Sequence, residues 1–446
     1  MLEGRSCLIP RVLANSCQSE SSWPGCMSFR LEIDIGSSKH SRDIDSNEDH
    51  PRRKSLRLSE ASELQEIDQL AQDSGKQSSD QRHAGDNSHL ESLIGAIGRD
   101  NSISCLIRCS RSDYGSLALL NSSFRNLIKS GELYRLRKQN RVIEHWIYFS
   151  CHLLEWEAFD PIRSRWMHLP RMISNEYVIF PDKESLAVGT ELLVFTKDMT
   201  NSHVIYKYSL LTHSWTSGMR MNAPRCLFGS ASLGEIAILA GGCDSQGNIF
   251  NSAEMYNSET QRWLPLSNMH TPRKMCSGVF MDDKFYVIGG IGRSETGQPR
   301  VLTCGEEYDL RTQTWTVIPN MSPVRGGAAR EAEVPAAAEA PPLVAVVNNE
   351  LYAADYADME VRKYDKERRV WYTVGRLPER ADSMNGWGIA FRACGDSLIV
   401  IGGPRTPGEV FIEINSWVPS EGPPRWNMLA RKSSSNFVYN CAVMGC

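Results

Sequence analysis

Four arginines stand in one register of the sequence: Arg225 in NAPR, Arg273 in HTPR, Arg325 in SPVR and Arg380 in LPER, each nine or ten residues after a tryptophan. A guanidinium fork grips a carboxylate through two parallel hydrogen bonds, so four at equivalent positions could receive an acidic segment of a protein partner. The same side chains could instead bond the carbonyls of neighbouring loops, and at this level both readings stand. Catalytic groups are not gathered in this way. The 10 histidines are dispersed with no pair at metal-ligand spacing, and the 13 cysteines contain no C-x-x-C. No G-x-S-x-G, P-loop or H-E-x-x-H occurs. GGIGRSETG (289–297) has the glycines of a phosphate loop but opens no helical pattern. The expectation is a binding protein with no catalytic residue, no metal and no cofactor.

The tryptophans that set this register close a phrase of fixed length. It reads FDPIRSRW (159–166), YSLLTHSW (208–215), YNSETQRW (256–263), YDLRTQTW (308–315) and YDKERRVW (364–371). Each aromatic is followed by Asp160, Ser209, Asn257, Asp309 or Asp365, residue types whose side chains nucleate a turn. The phrase predicts strand, tight connection, strand. The tryptophans are 49, 48, 52 and 56 residues apart, and a sixth, irregular copy ends at Trp426. Upstream of three copies a strand ends in Gly-Gly: AILAGG (237–242), FYVIGG (285–290) and LIVIGG (398–403). Glycines there suit positive φ and close backbone approach. One unit is thus four antiparallel strands, with Trp and Tyr as the anchors that pack one sheet on the next.

Composition narrows the partners. At a net charge of −4 and a pI near 6.2, no broad basic surface calls for nucleic acid. No apolar run approaches the roughly 18 residues of a membrane span. The first residues, MLEGRSCLIPRVLANSC, make a poor secretory signal, and scattered cysteines suit reduced thiols in the nucleus or cytoplasm. Residues 1–87, rich in Ser, Asp, Glu and Arg, are expected to be a disordered tail. PRRKSLR (51–57) within it reads as a nuclear-import signal or as solvated charge. GGAAREAEVPAAAEAPP (326–342) reads as a surface loop.

Between tail and repeats, residues 88–138 are expected to be a compact helical domain. Asn101 and Ser102 precede Ile103, Leu106 and Ile107 as a capped helix start. From Ser112 a second stripe runs through Leu117, Leu120, Phe124, Leu127 and Ile128 until Gly131. Some fifty residues are marginal alone, so this unit should lean on a partner or on the next domain.

The period near fifty, four strands per unit and the Gly-Gly…Tyr…Trp signature resemble kelch repeats, which build a β-propeller. The resemblance covers residues 144–446 and implies a mainly β fold of six blades. Phe195-Thr196 and Ala353-Ala354 depart from Gly-Gly, and the first unit lacks its innermost strand. NFVYNCAVMGC (436–446) is a strand without a unit, and it is expected to pair beside HWIYFS (145–150) and close the ring. The helical stretch, continuing into IEHWIYFSCHLLEWEAFDP (143–161), resembles the F-box of plant F-box/kelch-repeat proteins. That resemblance implies the substrate-recognition subunit of an SCF-type ubiquitin ligase. The F-box would bind a Skp-type adaptor and through it a cullin, while the propeller would hold the protein to be ubiquitinated. Leu93, Ile94, Ile97, Ile103, Leu106 and Ile107 match the F-box's adaptor-facing and core apolar positions, and either role stands for each. Gly95 and Phe124 depart from the usual proline and tryptophan. Two rival readings are a kelch scaffold without a ligase and a propeller enzyme.

Overall fold

The computed structural model describes residues 93–94, 97–152, 155–172, 184–197, 202–294, 296–323, 340–381, 383, 385–403, 411–434, 438 and 440–446. The tail expected over 1–87 with its PRRKSLR segment, Gly95, and most of the 326–342 loop lie outside the described residues. Residues 103–446 belong to one compact unit, and described residues up to Ser102 belong to another.

The phrase that repeats in the sequence becomes a hairpin. Phe159, Tyr208, Tyr256, Tyr308 and Tyr364 each lie directly opposite Trp166, Trp215, Trp263, Trp315 and Trp371 on the next strand. The paired rings sit 4.7–5.4 Å apart. The turn follows from two local devices. Asn257 Oδ1 accepts from the amides of Glu259 and Thr260, both at 2.9 Å, and Asp160, Asp309 and Asp365 do the same at their own turns. The residue two before each tryptophan is left-handed: Ser164, His213, Gln261, Gln313 and Arg369, at φ 50–58°. One such residue reverses the chain in a short loop whose twist suits the strands.

Six four-stranded antiparallel sheets result, which we number as blades. Blade 2 is Glu184–Val188, Glu191–Lys197, His203–Ser209 and Ser214–Ser217. Blade 3 is Gly229–Leu233, Ile236–Ala240, Ala253–Asn257 and Arg262–Pro265. Blade 4 is Ser277–Met281, Lys284–Ile288, Gly305–Asp309 and Thr314–Ile318, with a small arm, Ile291–Arg293 with Pro299–Val301, between its second and third strands. GGIGRSETG is the start of that arm and leads into no helix. Blade 5 is Val344–Val347, Glu350–Asp355, Glu360–Asp365 and Val370–Arg376; blade 6 is Ala390–Cys394, Ser397–Gly402, Phe411–Trp417 and Asn427–Ser433. Blade 1 takes His145–His152, Glu155–Asp160 and Arg165–His168, and its innermost strand is Asn440–Gly445. That strand pairs with the first in register from His145↔Gly445 to Ser150↔Asn440. The innermost strands of the six blades touch in a closed cycle.

Glycine is required where the repeat showed it in pairs. Gly242 and Gly290 have φ of 90° and 94°, and a Cβ on either would meet a carbonyl oxygen, of Cys226 or Lys274, at 2.5 Å. Where Phe195-Thr196 and Ala353-Ala354 replace the pair, the strands Glu191–Lys197 and Glu350–Asp355 run on through those positions. Apolar side chains from neighbouring sheets form the cores between blades, such as Val188, Leu193 and Phe195 with Phe228, Leu239 and Trp263.

The helices differ from the expected pattern in two places. Helix α1 spans Gly98–Leu106, so Asn101 and Ser102 lie inside it rather than before it. Ser102 Oγ donates to the Gly98 carbonyl at 2.6 Å and accepts from the Ile94 amide at 3.2 Å. The stripe after Ser112 is two helices, α2 (Tyr114–Leu120) and α3 (Ser122–Lys129). Asn121 separates them in extended backbone and caps α3 by accepting from the Phe124 amide at 2.9 Å. Gly131, at φ 75°, ends α3 and leads into α4 (Glu132–Gln139).

Candidate functional site

Arg225 and Arg273 do not face a ligand. Both are buried, with 1% and 0% of their surface exposed. Arg225 donates to the carbonyls of Ala223, Gly241 and Ser252, to Ser252 Oγ, and to Glu254 at 2.9 Å. Arg273 repeats this one blade on, with Gly289, Cys304 and Glu306 at 2.7 Å. Each carboxylate also binds the incoming loop: Glu254 accepts from the amides of Asn222 and Ala223, and Glu306 from those of His270 and Thr271. Burial pulls the Arg225 guanidinium below its ordinary range, an effect that Glu254 opposes. Ion pairs this enclosed present no guanidinium to a partner, so the acidic-partner reading is corrected for these two residues. They tie the loop entering a blade to the strand leaving it.

The signal that locates this pair is present in the sequence. Glu254 and Glu306 each stand two residues before the repeat tyrosine, on the same strand face. In blade 5 that position is Arg362, which binds Asp355 at 2.9 Å instead. Arg325 and the side chain of Arg380 lie outside the described residues; the backbone of Arg380 belongs to the short turn Glu379–Ala381.

The six apolar residues of the helical segment divide. Leu93, Leu106 and Ile107 are buried and Ile103 is half-buried, so these serve packing. Ile94 and Ile97 are 39% and 41% exposed. Leu119 and Leu120, at the end of α2, are also exposed; Leu120, read above as part of one stripe with Phe124, reaches 66%. Helices of this size normally hide such side chains, and uncovered ones mark contact surfaces.

Sequence reasoning missed what seats the helices from Ile103 onward. Glu144, just ahead of the first strand of blade 1, accepts from the Arg111 amide at 2.8 Å and lies 3.5 Å from Arg137 and 3.1 Å from Arg163. The buried Arg111 guanidinium donates to Tyr148 Oη at 3.2 Å, approaches Cys446 Sγ, and lies over the Trp146 ring at 4.8 Å. Arg137, fully buried, donates to the carbonyls of Ile107 and Cys109 at 3.0 and 2.6 Å. Further contacts are Asp113 with Arg165 at 3.0 Å and Lys138 with Glu235 at 2.8 Å. Leu211 packs against Gly131, where a Cβ would come within 3.1 Å.

These contacts all fall on one face of the ring. Glu235 and Leu211 are in the short hairpins of blades 3 and 2, and Arg165 follows the hairpin of blade 1. The longer connections, such as 241–252, 289–304 and 218–228, emerge at the opposite ends of the strands. The helices from Ile103 onward therefore occupy the hairpin face, opposite the longer loops. Among the described residues, no group of three or more His, Cys, Asp or Glu could hold a metal ion.

A mainly β ring of six kelch-type blades carrying a small helical unit defines a class, and comparison with known proteins agrees. A Kelch motif family model matches residues 224–270 and 272–322. The chain is 59% identical to the F-box/kelch-repeat protein SKIP11 of Arabidopsis thaliana over the whole of both chains. A second Arabidopsis thaliana F-box/kelch-repeat protein is 64% identical over 83% of this chain and 87% of its own, and a third 55% over the full length of both. This chain belongs to the F-box/kelch-repeat family.

Proposed function

We propose that this protein is the substrate-recognition subunit of an SCF-type E3 ubiquitin ligase, itself without catalytic activity. The segment 93–139 binds a Skp-type adaptor, which brings the cullin, and the propeller holds the protein to be ubiquitinated. The observation that carries this reading is the division of labour around the ring. The helices from Ile103 onward are clamped to the hairpin face through Arg111, Arg137 and Glu144 yet keep Leu119 and Leu120 uncovered, and the longer loops emerge on the opposite face. Substrate selectivity then belongs to loops such as 243–253 and 291–304. Arg325 and Arg380 are the arginines left to meet an acidic segment. Scattered thiols suit work in the nucleus, the cytoplasm or both.

The test is paired pull-down of adaptor and cullin from plant cells. Replacing the exposed Ile97 and Leu120 with Asp puts a charge on apolar surface of each unit without disturbing a buried core, and adaptor recovery should be lost. The propeller should keep its melting temperature. Retention of adaptor by the double variant, or absence of adaptor and cullin from the wild-type pull-down, would overturn the proposal and favour a scaffold without a ligase.

A further inference from the structure

Two cysteines meet on the loop face of blade 3. Cys226, in the loop entering the blade, and Cys243, just beyond Gly241-Gly242, form an isolated antiparallel bridge. They exchange both backbone hydrogen bonds, Cys226 amide to Cys243 carbonyl at 3.0 Å and the reverse at 2.8 Å. A pair of that kind holds its Cα atoms about 5.5 Å apart, the commonest separation in disulfides. The sulfurs are 3.9 Å apart and both are free thiols. Side-chain rotation with a slight closing of the bridge would bring them into bonding range.

The surroundings of the two sulfurs differ. Cys243 is held below the ordinary thiol range, first by its contact with the Cys226 sulfur and then, against burial and Glu184, by Lys274 and Lys197. Cys226, the other side of that contact, is pushed up by it and by burial, against His203. Elsewhere burial pushes Cys276 up to about 12 and Cys441 to about 11, leaving those as inert thiols. Cys243 is buried and Cys226 beside it is half-buried, so a small solute reaches the pair past Cys226.

We propose that Cys226 and Cys243 are a peroxide-reactive dithiol that closes to a reversible disulfide linking the two loops of blade 3. The Cys243 thiolate attacks one oxygen of hydrogen peroxide; an S–O bond forms, the O–O bond breaks, and the departing hydroxide takes a proton to leave as water. Cys226 sulfur then attacks the Cys243 sulfenic acid, forming S–S as the hydroxyl leaves with the Cys226 proton as a second water. Two thiols lose two electrons and one peroxide gains them. The inference concerns the propeller alone and stands independently of the ligase reading.

The full-length protein is treated with graded hydrogen peroxide, denatured in alkylating reagent and digested. Trypsin leaves both cysteines in one peptide, 226–262, and cleavage after Glu235 separates them. That peptide should lose both alkyl groups and become lighter by two hydrogens before the exposed Cys105 is oxidised, and dithiothreitol should restore it. Cys226→Ser should leave a sulfenic acid at Cys243 that dimedone traps. The proposal is overturned if both cysteines are still alkylated when Cys105 has been oxidised. Dimedone labelling of Cys226 in a Cys243→Ser variant, with no label on Cys243 in Cys226→Ser, would overturn the assigned order.

Discussion

Trp263 of blade 3 donates its indole Nε1–H to the carbonyl oxygen of Met219, 2.9 Å away at the end of blade 2. The bond recurs around the ring: Trp215 to Pro170, Trp315 to Ser267, Trp371 to Met321 and Trp426 to Arg376. The tryptophan thus stacks on its own blade's aromatic and reaches back to the previous blade. Trp263→Phe keeps the stack and loses the bond, so it should cost about 1 kcal/mol, while Trp263→Ala should cost about 3–5 kcal/mol. Thermal unfolding of the two variants checks the order; a phenylalanine variant that melts like wild type would assign the residue to packing alone.

Arg225 and Glu254 should behave as a structural unit. Removing one partner strands the other, so Arg225→Ala should destabilise by about 3–5 kcal/mol. Arg225→Met with Glu254→Gln removes both charges and should cost less than Arg225→Ala alone. Denaturant unfolding of the single and double variants measures the coupling. Additive losses would mean that the two side chains act independently.

These two cases mark where the sequence was legible. The hairpin was, because Asn257 and Trp263 act within one local phrase whose length the chain repeats. The closing strand was, because 440–445 had β character and no neighbour in sequence to pair with. The arginines were legible as a register but not as a role. Spacing reports that positions are equivalent, whereas burial depends on a carboxylate 29 or 33 residues downstream, across loops of unequal length. Leu120 was misplaced because Asn121 breaks the helix and turns its stripe outward. Glu144 left no pattern at all: a single acid gains meaning only when two helical arginines arrive from elsewhere in the chain.

Glu144→Ala should loosen the helices without melting the propeller. It leaves the buried Arg137 without its carboxylate and the Arg111 amide without its acceptor, at a cost of about 3–5 kcal/mol to the docked state. Hydrogen exchange should quicken across 103–139 while the strands of blades 3 to 5 stay protected. Unchanged exchange in α4 would show that the clamp is dispensable.

Acid should act on the same seat through Lys138 and Glu235. Burial alone would raise the Glu235 carboxyl, but hydrogen bonds from Lys138 and Ser258 outweigh it and hold it below the usual carboxylate range. With the folded-state value below the unfolded one, the pair stabilises docking above pH ~4.3 and is lost as pH falls through the folded value. Being partly exposed, it contributes only about 0.2–1 kcal/mol. Exchange at α4 measured against pH should show an added loss of protection on the acid side, and Glu235→Gln should remove that step.

The shared first blade also sets a clock. His145 and its partner Gly445 are about 300 residues apart, so at ~5–20 residues per second a ribosome needs roughly 15–60 s between making one and making the other. For that interval the strand at 145–152 has an open edge, and Arg111 lacks the Cys446 end of its seat. The seat of the helices is complete only once the ring is whole. A chain arrested or misfolded before its last blade would present loose helices, which makes their docking a mark of a finished molecule.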